Sequence, residues 1–416
     1  MVQSGNASKR NIVVIGGSYG GLSIAHHVLK HTLPSLPEKA LYDVVLISAS
    51  SQVMCRPACP RAMISDSMFN QEKLFVNIPE QFKQYPANSF KFVHGTATDL
   101  DIDQRSISIQ LRDGTLETIN YYALVIGTGA SSTSPLLGLN GDVTELQSHW
   151  AAFRKALPQA KSIVIGGGGP SGIETAGELG EYLNGRAGWF SSKLPNPKVT
   201  ITVVSAGPKI LPQLRNKIAQ KAENFLAQIG VTVIQNTKIQ SVIPEHAGTS
   251  NADLASPAKI ILSDGKTLSA DIYIPAYGTK PNTSFVPSVL LASDGRIKTN
   301  PKTLRVEDGG PRVYVIGDVS SASRPAVHMI LEQVPVLGSN LKRDLLLESS
   351  AYKDAPAQDS EFIEDRRETQ LVPIGKSNGV GAMMGYELPS FIVWLIKGRD
   401  YWLWTTGRLW SGKQWG

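Results

Sequence analysis

The sequence predicts an α/β protein of two halves, each opening with a strand, glycine-rich turn, helix and second strand, decorated with β-hairpins and followed by a small α+β domain. Three observations predict it. The apolar run NIVVI at residues 11 to 15 leads into GGSYGG and then a helical pattern through Leu22, Ile24, Ala25, Val28 and Leu29. Residues 162 to 165 lead in the same way into GGGGPSG and a helix over 173 to 183. Short alternating strands with Asp-Gly turns lie between and after these units.

In the first unit the second strand spans residues 44 to 47, after a polar, proline-containing loop from His31 to Asp43. In the second unit it spans residues 199 to 204. Residues 106 to 111 with Asp113-Gly114, and 259 to 262 with Asp264-Gly265, read as hairpins grafted on each half. Beyond Val319 come a helix, a polar stretch from Ser349 to Glu368, a strand-like LVPIG and an aromatic tail. The domain boundaries expected are 1–140 and 285–325 for the first, split unit, 141–284 for the second, and 326–416 for the C-terminal domain.

Composition bounds the function. At 416 residues, 42% apolar and 18% charged, the chain has material for two or three cores. A net charge of +6 without a basic stripe argues against nucleic acid as a partner. The N-terminus lacks the apolar core of a signal peptide and has no Gly at position 2. With two cysteines and no long apolar run, the chain reads as a cytoplasmic protein with no metal site.

A dinucleotide pyrophosphate needs a helix N-terminus for its charge and small residues where backbone must approach it. Gly16, Ser18 and Gly21 occupy the three fingerprint positions of the first unit, with Ser18 replacing the usual middle glycine. Gly167, Gly169 and Gly172 satisfy the full pattern in the second. These are two Rossmann-like dinucleotide-binding domains. Both second strands end in a serine, Ser48 and Ser205, where an acidic residue usually takes the ribose hydroxyls. Ser205, followed by Lys209 and Arg215, admits the 2′-phosphate of NADP, so NADPH is expected to be accepted, even preferred, alongside NADH.

The order GGSYGG, LVIGTGA (124–130), GGGGPSGIE, YGTKPNT (277–283) and VYVIGDVSS (313–321) resembles the two-dinucleotide-binding-domain flavoproteins of the pyridine nucleotide-disulfide oxidoreductase superfamily. RPACPRAMI (56–64), SAGPKILP (205–212) and VPIGKSNGVGAMMG (372–385) resemble its apoptosis-inducing-factor-like branch, which includes ferroptosis suppressor protein and fungal relatives and is related to type II NADH dehydrogenases. The resemblance implies FAD in the first domain and NAD(P)H in the second. It assigns Asp318 to the flavin ribitol, the helix opening at Pro325 and Ala326 to the flavin pyrimidine, and Thr128 and Gly129 to its side. It carries Tyr19, Gly20, Ser48 and Arg61 to FAD as well. Pro170, Ser171, Ser205, Lys209 and Gly278 go to the nicotinamide nucleotide, and Glu174 to the nicotinamide side of the flavin, with a simple helix-end charge as its alternative role. The implied acceptor is a quinone.

Three other features carry alternatives. Cys55 and Cys59 lie where disulfide-reducing relatives keep redox thiols, but at C-x-x-x-C spacing; inert packing is expected, with thiol chemistry at Cys55 as the alternative. His328 is a helix-packing residue or a proton donor to a reduced product. The tail holds Trp394, Trp402, Trp404, Trp410 and Trp415 beside Lys397, Arg399, Arg408 and Lys413, a composition that suits a membrane surface, an internal packing role or a homodimer contact. The expected reaction is reduction of a quinone-type acceptor by NAD(P)H through FAD. The alternatives are a flavoenzyme acting on an aromatic metabolite, and a redox-sensing interaction protein using the polar stretch 349–368.

Overall fold

The computed structural model describes residues 9–188, 190–250 and 252–416, so most of the N-terminal segment read for a leader lies outside the described residues. Ile12, Val13, Val14 and Ile15 are all buried, as a central strand of a parallel sheet covered on both faces requires. Their strand, Arg10–Ile15, stands third in a seven-stranded sheet ordered Val313–Val315, Ala123–Ile126, Arg10–Ile15, Tyr42–Ser48, Phe90–Asp101, Ser106–Leu111, Leu116–Asn120. The first five strands run parallel. Phe90–Asp101 pairs parallel with Tyr42–Ser48 at its start and antiparallel with Ser106–Leu111 at its end, so the meander grows directly out of the main sheet. Helices Tyr19–His27 and Val327–Leu347 share one apolar core against a face of this sheet, through Leu22, Ile24, Val334 and Leu337.

The second half is a four-stranded parallel sheet, ordered Val231–Ile234, Thr200–Val204, Ser162–Gly166, Ile272–Pro275, with helices Pro170–Asn184 and Asn216–Ala227. A three-stranded antiparallel sheet, Ile239–Ile243, Ala258–Leu262 and Thr267–Ala270, is attached to it. The halves meet where Ala130–Ser132 pairs antiparallel with Thr279–Pro281. Asn282 fastens the joint: its side-chain amide donates to the Thr128 carbonyl at 2.9 Å, and the Thr128 hydroxyl donates to the Asn282 carbonyl at 2.8 Å. Two motifs far apart in the chain are thus one structural element.

Two segments differ from expectation. The loop from His31 begins as a continuation of the first helix, through a π-turn at Val28–Thr32 and a 3₁₀ turn at Leu33–Ser35, because Leu33 and Leu36 are drawn into the core. The polar stretch 349–368 is partly tied to the fold, while Tyr352 and Ile363 remain exposed. Arg305 pairs with Asp344 and Asp359, Lys302 pairs with Glu361, and Phe362 is buried.

The C-terminal domain is a three-stranded antiparallel sheet, Gln370–Ile374, Asn378–Met383 and Tyr386–Glu387, followed by short helical turns and the helix Leu403–Trp410. Its last residues are clasped by the first helix. His26 Nε2 donates to the Trp410 carbonyl at 2.8 Å and Lys30 donates to Gly412 at 2.8 Å, while His31 Nε2 donates to Trp415 at 2.6 Å. Burial lowers the His26 pKa to about 4, leaving a neutral ring whose Nδ1 accepts from the Tyr85 hydroxyl at 2.8 Å.

Candidate active site

Both glycine turns fold alike, for a steric reason. A Cβ on Gly21 would lie 1.7 Å from the Gly16 carbonyl oxygen, and one on Gly172 would lie 2.0 Å from that of Gly167. Each helix therefore packs against the strand that precedes it at a distance no side chain allows. Behind each turn sits the strand-end serine. A Cβ on Gly17 would meet Ser48 Oγ at 2.2 Å, and one on Gly168 would meet Ser205 Oγ at 2.5 Å. Both serines are buried, so they fill space under the loops, and Ser48 Oγ donates to the Ser50 carbonyl at 2.7 Å.

The helices Tyr19–His27 and Pro170–Asn184 begin at Ser18 and Gly169 with no side-chain cap and no acidic residue in the first turn. Uncapped N–H groups and the positive end of the helix dipole make each start a site for a phosphate. A cleft of about 730 Å³ joins them. Its wall on one side includes Gly16, Ser18, Tyr19, Gly20 and Ser48, and farther along Thr128, Gly129, Asp318, Pro325 and Ala326. From the other half come Pro170, Ser171 and Glu174, and from the C-terminal domain Lys397. A small-residue cradle at an uncapped helix start, with a carboxylate at the far strand end, fits a dinucleotide.

Asp318 lies in the turn Gly317–Val319, and burial raises its pKa against the opposing pull of Arg56 and Arg296. The turn is held by Gln333, a fully buried residue on the long helix that sequence reasoning passed over. Its Oε1 accepts from the Gly317 N–H at 3.0 Å and its Nε2 donates to Ser323 Oγ at 2.9 Å.

Glu174 is not a helix-end charge. It stands past the first turn, is 3% exposed, and accepts from Lys397 Nζ at 2.5 Å, while Nζ also donates to the Leu371 carbonyl at 3.0 Å. Burial raises its carboxyl pKa to about 6, and the ammonium of Lys397 limits the rise. Lys397 was read only as one of the tail cations. The sole hint of its role was a lysine closing the apolar run FIVWLI.

One helical turn on, Glu178 is the reason Arg61 does not reach the cleft. Arg61 Nε and Nη2 bond the two Glu178 oxygens at 2.9 and 2.8 Å, and the Tyr401 hydroxyl donates to Oε1 at 2.9 Å. The arginine that lines the cleft is Arg56, whose Nη1 donates to the Ala130 carbonyl at 2.7 Å.

The thiols are packed away from the cleft wall. Cys55 and Cys59 are free and fully buried, and burial pushes them up to about 11 and about 12. Cys55 accepts from the Tyr19 hydroxyl at 3.3 Å and donates to the Tyr401 carbonyl at 3.1 Å. A thiol held neutral and out of the cleft cannot act as a thiolate nucleophile at neutral pH, so the alternative role for Cys55 is set aside. His328 follows Val327, which lines the cleft, but is itself half-buried outside that wall with its pKa lowered by burial. It is not placed to protonate a group in the cleft.

On the nicotinamide side, Gly278 turns at φ +67° just before Thr279–Pro281, and its carbonyl accepts from Thr133 Oγ1 at 3.3 Å. The cations offered for a 2′-phosphate are engaged. Lys209 Nζ donates to the Leu214 carbonyl, and Arg215 pairs with Glu368, Nε to Oε2 at 2.7 Å. The tail divides: Trp410 is fully buried with its ring 4.8 Å from that of Tyr19, whereas Trp404, Phe391 and Leu395 are largely exposed. Among the described residues, no helix is long and apolar enough to cross a membrane.

Residues 10–336 match the family described as pyridine nucleotide-disulphide oxidoreductase. The chain is 59% identical over 409 residues to oxidoreductase phnG of Penicillium herquei, covering 98% of this chain and 97% of that one. It is 24% identical over 407 residues to ferroptosis suppressor protein 1 of Mus musculus, covering 94% and 93%. Its fold is similar to that of the sulfide:quinone oxidoreductase from Aquifex aeolicus, with TM-score 0.70 and 16% identity over 97% of this chain and 92% of that one.

Proposed function

The chain belongs to the pyridine nucleotide-disulphide oxidoreductase family, whose members bind FAD and depend on NAD(P)H, and from that premise we propose that it carries electrons from NAD(P)H to a quinone-type acceptor. What supports this is the convergence of two matched, uncapped glycine cradles on one cleft that holds a single buried ion pair, Glu174 with Lys397. The Ser18 helix start and Asp318 would hold FAD, and the Gly169 helix start the nucleotide. FAD when bound supplies the two-electron relay between donor and acceptor.

The remaining work falls to the protein. The joint at Thr128 and Asn282 keeps the two cradles in fixed relation, which is the positional requirement for hydride transfer. Reduction of a quinone to a hydroquinone takes two electrons and two protons, of which NAD(P)H brings a hydride and solvent one proton. Glu174, with its carboxyl near 6, and the Lys397 ammonium place exchangeable protons inside the cleft. Disulfide chemistry has no support, because both thiols are buried and neutral. The apolar patch of Phe391, Leu395 and Trp404, flanked by exposed Arg399 and Arg408, would meet a membrane surface from which a lipophilic quinone could be drawn.

The test is a spectrum of purified protein, then anaerobic titration with NADH and NADPH, then reoxidation by a panel of acceptors. A flavin spectrum bleached by nucleotide and restored by short-chain ubiquinones is the expected result. Absence of bleaching overturns the proposal, whereas bleaching without quinone turnover moves the acceptor to another aromatic metabolite.

A further inference from the structure

Groups suited to an anion follow the second strand of the second half, and the foremost of them, Arg215, is bound by one carboxylate from the C-terminal domain. Ser205 follows the strand Thr200–Val204, and the segment after it folds back over the glycine turn, Leu211 N–H donating to the Gly168 carbonyl at 2.7 Å. A tight turn, Leu214 N–H to Leu211 carbonyl at 2.9 Å, then delivers Arg215 as the residue that opens the helix Asn216–Ala227. Arg215 offers its backbone N–H and its guanidinium, and Lys209 stands close enough to lower the Glu368 carboxyl further. Glu368 accepts from the Arg215 backbone N–H with one oxygen and from Nε and Nη2 with the other. The Gly385 carbonyl, also from the C-terminal domain, takes a further bond from Nη2.

We infer that Glu368 is a specificity-determining residue: it occupies the cation that a 2′-phosphate would need and so favours NADH over NADPH. This rests on the assignment of the Gly167–Gly172 turn to the nicotinamide nucleotide. No carboxylate at the strand end enforces the choice, because Ser205 stands there, so the choice passes to a carboxylate brought from another domain. A 2′-phosphate at Arg215 would have to share the guanidinium with the Glu368 carboxylate, whose bonds to Nε and Nη2 already offset its charge and whose own charge repels the phosphate. NADH, with a free 2′-hydroxyl, leaves the pair intact. The sequence alone pointed the other way, to accepted or preferred NADPH, because it shows Lys209 and Arg215 without showing what holds them.

The test uses FAD-loaded full-length protein and two redox-inert probes, 5′-AMP and 2′,5′-ADP, measured by titration calorimetry. Wild type is expected to bind 5′-AMP at least as tightly as 2′,5′-ADP. Glu368→Gln should tighten 2′,5′-ADP by about tenfold, the worth of one charge-assisted bond, and leave 5′-AMP within about twofold. The gain should vanish in Glu368→Gln with Arg215→Gln. Arg215→Gln alone, which keeps the test open if the first variant does not fold, should change neither probe by more than about twofold, since its charge is already offset by Glu368. An unchanged probe ratio in Glu368→Gln, a wild type that prefers 2′,5′-ADP, a large loss of 2′,5′-ADP in Arg215→Gln, or no binding of either probe overturns the inference. Bleaching of the flavin by NADH is followed in parallel. Its absence would count against the electron donor proposed above while leaving the probe ratio readable.

Discussion

Replacing Lys397 with methionine should turn Glu174 from an ion-paired carboxylate into a buried neutral acid, with a signature in pH. The two side chains are 7% and 4% exposed and 2.5 Å apart. Deleting one partner of a buried pair costs about 3–5 kcal/mol while the other remains charged. At about 1.4 kcal/mol per unit, 3 kcal/mol is enough to carry the Glu174 carboxyl from about 6 to roughly 8. The sign follows from burial. The folded state holds a proton that the unfolded chain has released, so this group's contribution is full below the ordinary carboxyl pKa and falls as pH rises through the folded value. In wild type the fall ends near pH 6; in Lys397→Met it continues to roughly pH 8. The variant should therefore lie within a few tenths of a kcal/mol of wild type at pH 5.5 in this respect, and about 3 kcal/mol below it at pH 8.5. Thermal melting across that range reads the difference as a gap that widens with pH. Glu174→Gln combined with Lys397→Met should close the alkaline part of the gap, because neither partner is then charged. A gap equal at both ends of the range, or one that the second substitution leaves open, would refute the reasoning.

Other outcomes follow from the same geometry. Gly172→Ala, whose Cβ would lie 2.0 Å from the Gly167 carbonyl oxygen, should keep the flavin spectrum but lose bleaching by nucleotide, whereas Gly21→Ala should lower flavin content itself. Cys55→Ser should leave turnover within about twofold, and the native protein should resist a thiol reagent at pH 7.5, since both thiols titrate far above it. Phe391→Glu with Trp404→Glu should reduce flotation with anionic liposomes without changing melting temperature, because both side chains are more than half exposed; unchanged flotation removes the membrane contact.

Periodic segments and close-packed turns were legible from the chain because their causes are local. The two glycine turns, their strands and helices, and both Asp-Gly hairpins each sit within a short run whose sterics dictate them. The pairing of Thr128 with Asn282 was half legible: both motifs were visible, but not that each closes the other's hydrogen bonds. Lys397 was not legible, since 223 residues separate it from Glu174 and no spacing encodes the encounter. Arg61 was mistaken for a cleft residue in place of Arg56, and the reason is rotational. A 3₁₀ turn at Arg56–Ala58 runs into the short helix Cys59–Ala62, and over so irregular a piece neither period predicts which way an arginine faces. Glu368 was hidden for a related reason: it lies in a stretch whose composition reads as solvated, and only the approach of the C-terminal domain gives it a partner.

The strand Val313–Val315 completes the parallel part of the first sheet, next to Ala123–Ile126, yet it is made only after the whole second half has left the ribosome. Until then the first helix has no partner for the face that Val327–Leu347 will cover, and its clasp must wait until Trp410, Gly412 and Trp415 are made. The second half, by contrast, has all four of its parallel strands in one continuous span. During synthesis the later sheet can therefore form first, inside an earlier one that is still open, but its helix Pro170–Asn184 waits for the C-terminal residues Val372, Ile374 and Tyr401 to complete its core and for Lys397 to pair Glu174.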